Sequence, residues 1–228
     1  MSLFLTCRQQ SIAVRQTDVL YQMNKSYLLL GSNLGNRESY LSQAIELLNA
    51  IGTRDKGQGT RVIAKSSVYN TKAWGNQNQN DFLNQAVCVE TKLSAEKLLD
   101  EILSIEKKLG RTRPFDSAQG DKKWQPREID IDILFFNSEI IKTDKLIVPH
   151  PHLQKRRFAL VPLAEIARNF IHPVLQKSVK QLLEECKDKL EVRSQKKQNT
   201  NNKSFFLAIE GNIGAGKTTL AKILAKEL

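Results

Sequence analysis

The sequence predicts an α/β chain of the α+β kind. It would hold a ferredoxin-like β-α-β-β-α-β core, an antiparallel sheet with helices on one face, then a linker and a truncated β-α unit. Three observations predict it. Short apolar or alternating runs, closed by Gly, Asn and polar loops, recur between residues 26 and 136. Two intervening segments carry apolar residues at helical spacing. Beyond an acid-free polar stretch, "FFLAIEGNIGAGKTTLAKIL" repeats a strand, glycine loop and helix start.

Taken in order, "SYLLLGS" reads as a short buried strand closed by glycine. "NRESYLSQAIELLNAIG" places Leu41, Ala44, Ile45, Leu47 and Leu48 on one helical face, and Gly52 ends it. "TRVIAKSSVYNT" reads as one strand, "KAWGNQNQND" as a polar loop, and "FLNQAVCVET" as an alternating strand. "SAEKLLDEILSIEKKLG" is a helix with Ser94 as N-cap. Lys97 stands where a capping box needs Glu or Gln, so the box is incomplete. Leu98, Leu99, Ile102, Leu103 and Ile105 form its stripe. A charged loop leads to the strand "EIDIDILFF", and the tail to about Leu190 reads as loops and short helices.

Domain bounds follow. Residues 1–24 form an N-terminal extension expected to be disordered, with Met23 read as the natural start. Residues 25–190 form the main domain, 191–204 a linker, and 205–228 the start of a second domain. No apolar run approaches the roughly 18 residues of a membrane span. Cys7, Cys88 and Cys186 are scattered and odd in number, so no disulfide framework or metal spacing follows and a reducing cytoplasm is the expected location. The balance of 35 basic to 24 acidic residues is uneven. Arg193, Lys196, Lys197 and Lys203 account for part of it in the polar linker. The cluster from Lys107 to Arg127 needs a partner, either nucleic acid or polyphosphate.

Two features carry chemistry. Gly211, Gly216, Lys217 and Thr218 fit G-x-x-x-x-G-K-[ST], in which backbone N–H groups cradle phosphates at a helix N-terminus. A single β-α unit cannot bury its own faces, so it is expected to open a domain that residues 205–228 do not complete. The stretch resembles the opening of deoxynucleoside kinases. The second feature is the pair Asp130 and Asp132. Strand side chains alternate, so both share one face, about 6.6 Å apart, while Ile129, Ile131 and Ile133 take the other. Adjacent carboxylates repel unless cations arrive. Two magnesium ions about 3.5–4 Å apart could bridge such spacing. The bland alternative is a wet sheet face with two solvated acids. Arg111, Arg113, Lys122, Lys123 and Arg127 crowd the preceding loop, and carboxylates beside guanidiniums suit phosphoryl transfer.

"LLLGSNLGNR", "SSVYNTKAWGNQNQNDFLNQAV", "EKKLGRTR", "WQPREIDIDILFF", "IVPHPHLQKRRFAL" and "PLAEIA" occur in that order over about residues 25 to 185. Together they resemble 6-hydroxymethyl-7,8-dihydropterin pyrophosphokinase, a folate-pathway family with a ferredoxin-like core. The resemblance implies transfer of the β,γ-pyrophosphoryl group of ATP to the pterin hydroxymethyl oxygen, releasing AMP. By position it implies Asp130 and Asp132 as ligands of two magnesium ions, and Arg111 and Arg127 as catalytic arginines. Glu106, Arg113, Trp124, Ile133, Lys145, Ile147, His150 and Arg156 then fall on the ATP side. Thr71, Ala73, Trp74, Phe82, Asn84 and Phe158 form the pterin slot. An aromatic pair, Phe82 and Phe158, could sandwich a flat ring, with Asn84 on its amide edge. His152 is expected to be structural. The loop "PFDSAQGDKK" is longer than in compact members, Gln125 stands where glycine is common, and "TKAWG" replaces a "TPPLG"-like form.

The expected partners are therefore ATP and the pterin, with no nucleic acid and no membrane, in a monomer. Two rivals remain open. A nucleic-acid-binding ferredoxin-like domain would show paired aromatics on its central strands, whereas "DFLNQAV" has one and the aspartates repel phosphate. A bifunctional parent with a deoxynucleoside kinase as second activity is the other.

Overall fold

A computed structural model describes residues 23–52, 59–74, 79–110 and 126–195. Residues 1–22, Arg111, Arg113, Trp124, most of the expected linker and the whole phosphate-loop segment with Gly211, Gly216, Lys217 and Thr218 lie outside these.

Strand β1 (Asn24–Ser32) leads to helix α1 (Arg37–Ala50), then β2 (Arg61–Lys65), β3 (Tyr69–Thr71) and β4 (Phe82–Thr91). Helix α2 (Ala95–Lys108), β5 (Asp130–Phe136) and a small hairpin, β6 (Ile141–Lys142) with β7 (Ile147–Val148), follow. The chain ends its described part with α3 (Arg157–Ala167), α4 (Val179–Glu185) and β8 (Val192–Ser194). The main sheet runs β5-β1-β4-β3-β8, with β2 also on β4, and each pairing is antiparallel.

Local signals place most of these elements. The Asn36 side chain caps α1 by accepting from Ser39 N, and Gly52 takes a φ of +68° just past its end. Ser94 Oγ accepts from Lys97 N at 3.4 Å, the expected cap of α2. Leu41, Ala44 and Leu48 of α1, and Leu98, Leu99, Ile102 and Ile105 of α2, are buried. They close on Leu28 and Leu30 of β1, Leu83, Val87 and Val89 of β4, and Ile129, Ile131 and Ile133 along β5.

The structure departs from the sequence reading in three places. The expected single strand from Thr60 breaks at Ser66, whose hydroxyl accepts the Ala86 N–H at 3.0 Å in place of a ladder carbonyl. The helices are not confined to one face. Leu29, Ala86, Leu134 and Phe135 form a second core with Ala159, Leu160 and Leu163 of α3 and Val179 and Leu182 of α4. Pro162 inside α3 and the paired arginines at its start obscured its periodicity. Third, residues 192–194 are not linker: β8 pairs with β3, Thr71 opposite Val192. A three-residue edge strand gains its bonds from an open backbone edge and needs no apolar pattern.

Candidate active site

Asp130 and Asp132 lie on the α3 side of the sheet, where that helix leaves the strand ends uncovered. The reason is register. Asp130 stands opposite Gly31, which stands opposite Asn84, and Asp132 aligns with Leu29 and Ala86. Residues directly paired across a sheet point the same way. One face therefore carries Asp130, Gly31 and Asn84 in one row, and Asp132, Leu29 and Ala86 in the next. A register shift in the β1–β5 pairing leaves both Leu134 and Phe135 on this apolar side, beyond the aspartates.

Each carboxylate has an arginine. Arg127 Nη1 lies 2.6 Å from Asp130 Oδ2, and Arg156 Nη1 lies 3.5 Å from Asp132 Oδ2. The carboxylates remain 25% and 34% exposed, enough for a ligand to reach them. Burial disfavours the charge on Arg127, but Asp130, Asp132 and Glu106 together offset it and the guanidinium is held more firmly protonated than usual. For Arg156 burial dominates and pulls its pKa down, against the aspartates. Its Nε is buried with no hydrogen-bond partner among the described residues. The guanidinium sits 5.3 Å from the Trp74 ring centre and 5.7 Å from that of Phe158.

His150 follows the cis Val148–Pro149 bond and donates its backbone N–H to Leu134 O at 3.1 Å. Its Nε2 lies 3.2 Å from Arg156 Nη1, and its Nδ1 accepts from His152 N. Burial, then Arg156 and His152, push its pKa down to about 4, so the ring is neutral at pH 7.

A polar and aromatic slot adjoins the carboxylates. Asn84, 3% exposed, donates from Nδ2 to Thr71 Oγ1 at 2.7 Å. Thr71 pairs across from Phe82, two residues from Asn84 on the same face. Ala73 is buried and Trp74 half-buried just past β3. Phe158 comes from α3 above the sheet. Gly31 makes the floor: a Cβ there would stand 3.0 Å from Asn84 Oδ1.

Several expected residues are not in this row. Glu106 and Ile133 are buried on the opposite face, Ile133 in the core with Ile102, and Glu106 accepting the Ile131 N–H at 2.8 Å. Lys145 and Ile147 are exposed on the β6–β7 hairpin, beside the outer edge of β5. Within this row and its supports, sequence reasoning missed two residues. Gly31 is one. The other is Asn33, 1% exposed, which accepts Arg127 N at 2.7 Å and donates to Gln79 and to Asn80 O. It ties the arginine's backbone to the loop before β4. Its signal was the "GSN" that ends β1.

A sequence model of the 7,8-dihydro-6-hydroxymethylpterin-pyrophosphokinase family matches residues 27–168. The chain is 45% identical over 155 residues to a 2-amino-4-hydroxy-6-hydroxymethyldihydropteridine pyrophosphokinase of Aquifex aeolicus, covering 68% of this chain and 88% of that protein. It is 44% identical over 145 residues to the Bacillus subtilis protein of the same name, covering 64% and 79%. The fold resembles a Plasmodium falciparum HPPK-DHPS crystal structure with a TM-score of 0.52 at 17% identity, over 73% of this chain and 46% of that one. The chain thus spans less than half of that solved protein. By family match and by identity to these relatives, the chain belongs to the 7,8-dihydro-6-hydroxymethylpterin-pyrophosphokinase family.

Proposed function

We propose that the chain transfers the pyrophosphoryl group of ATP to 6-hydroxymethyl-7,8-dihydropterin, giving the pterin diphosphate and AMP, a step of tetrahydrofolate synthesis. The observation that carries this reading is one sheet face on which arginine-paired carboxylates adjoin a polar slot flanked by aromatics.

Asp130 and Asp132 fit magnesium: they are partly exposed, all-oxygen donors, and phosphate and water would complete a hard cation's shell. Two ions are the expected number, and when bound they neutralise the triphosphate and polarise its phosphorus. Arg127 and Arg156 orient the phosphate oxygens, and the orphan Arg156 Nε is a donor suited to an anion. Arg111 and Arg113 would add to them from the loop before β5. His150, with its neutral ring, and Lys145 and Ile147 would line a nucleotide crossing the outer edge of β5; Glu106, Ile133 and Trp124 are assigned to it by family resemblance alone.

Thr71, Ala73, Trp74, Phe82, Asn84 and Phe158 would hold the pterin, with Asn84 on its amide edge. Held there, the hydroxymethyl oxygen attacks the β-phosphorus. The bond from that phosphorus to the AMP oxygen breaks, and the hydroxyl proton passes to solvent. Positioning and charge neutralisation carry the rate, so no strong base is required.

We also read the antiparallel order β5-β1-β4, bordered by residues 61–71, as a ferredoxin-like core. The phosphate-loop motif is read as the start of a second, deoxynucleoside-kinase-like unit. A cytoplasmic monomer without nucleic acid is the expected state. An assay of AMP release from ATP, with and without hydroxymethyldihydropterin, tests the main reading. Pterin-dependent AMP supports it. Pterin-independent ADP would favour a phosphate-loop kinase instead.

A further inference from the structure

The two walls of the slot come from different layers. One is β3 and β4 of the sheet, with Thr71, Phe82 and Asn84. The other is the start of α3, with Phe158. Apolar packing of Ala159, Leu160 and Leu163 on Leu29 and Ala86 holds α3 against the sheet. Such packing is non-directional, so it sets the height of the helix better than its slide along the strands. Directional bonds are needed to fix the slide, and one group on α3 supplies them.

Glu165 accepts three hydrogen bonds from the turn and strand below. Its Oε2 accepts from Ser67 N and from Tyr69 Oη, each at 2.9 Å, and its Oε1 accepts from Ser67 Oγ at 3.0 Å. Glu165 lies seven residues after Phe158, hence two turns on and nearly the same helix face. Tyr69 is the cross-strand partner of Asn84, and it lies two residues from Thr71, which Asn84 grips. Burial and the Glu165 carboxylate raise the Tyr69 hydroxyl to about 12, so it stays a donor.

We infer that Glu165 is a positioning residue for the pterin site: by clamping α3 to the Ser67–Tyr69 segment it sets the distance from Phe158 to the Asn84–Thr71 wall. The inference rests on the pterin reading of this slot. Glu165 itself is exposed and touches none of the proposed slot residues in any described hydrogen bond, so its effect travels through the helix and β3.

Glu165→Ala, Glu165→Gln and Tyr69→Phe test this. Pterin affinity is read by fluorescence titration, ATP affinity by a non-hydrolysable analogue, and stability by thermal melting. Expected is about fivefold weaker pterin binding for Glu165→Ala, the size of one or two net hydrogen bonds near the surface. Tyr69→Phe should give a smaller loss of the same kind, Glu165→Gln should recover part of the affinity, and ATP binding should stay within about twofold. Unchanged pterin binding in both Glu165→Ala and Tyr69→Phe would overturn the clamp. Parallel loss of pterin affinity, ATP affinity and melting temperature would also overturn it, by making Glu165 merely structural. A wild-type protein that binds no pterin would instead overturn the functional reading, and the clamp with it.

Discussion

The two faces of the main sheet use the same strands differently. Beneath α1 and α2, Ile129, Ile131 and Ile133 line the core from β5 and the residue before it, and β4 adds Leu83, Val87 and Val89, with Gln85 among them donating its amide to Ser66 O. On the other face, α3 and α4 cover Tyr27, Leu29, Ala86, Leu134 and Phe135, and the strand ends past them carry Asp130, Asp132 and Asn84. A helix of eleven residues spans about 16 Å, less than β1 or β4 beneath it. Where the helical cover stops, a strand can hold carboxylates beside water and ligands while its other face stays in the core. On the proposed reading of the site, stability and chemistry divide by face, within single strands.

Three substitutions break or sharpen that division. Asp130→Ala carries the largest expected effect. Turnover should fall on the order of a thousandfold or more, as for loss of a charge that organises the transition state. Its melting temperature should stay within a few degrees, because the site is partly exposed; near-normal turnover would refute the proposed role. Leu98→Ala on the opposite face should reverse the pattern. Leu98 is fully buried, so urea unfolding should show a loss of about 2–5 kcal/mol. The KM for pterin should move little. Gly31→Ala is the smallest change and the finest test. The new methyl group would press on Asn84 Oδ1, whose amide is already engaged with Thr71. A roughly tenfold rise in pterin KM is expected, at the lower end of overpacking costs, with little change in melting temperature.

Much of this division is legible in the sequence alone. The alternation of Ile and Asp in β5 forces two faces, and the helical spacing in α1 and α2 marks which apolar residues meet them. Asn36 and Ser94 cap through neighbours three residues away, so both caps are local signals. The residues that escaped notice act over long separations. Glu165 meets Ser67 across 98 positions, and Asn33 meets Arg127 across 94. Gly31 matters because Asn84 is its cross-strand neighbour, which is a fact of register. The two-sided sheet was hidden because Pro162 and the arginine pair mask the periodicity of α3.

By itself, then, the sequence determined that Asp130 and Asp132 share a face, that the isoleucines alternating with them are core, and that arginines stand nearby in the chain. Those follow from backbone periodicity and short spacing. Tertiary structure decided which face that was, and how far α3 covers it. It also decided that Arg127 takes Asp130 while Arg156, distant in sequence, takes Asp132. Pairing of that kind depends on strand register and helix docking, which are set by the sum of many weak contacts, and no local pattern encodes them.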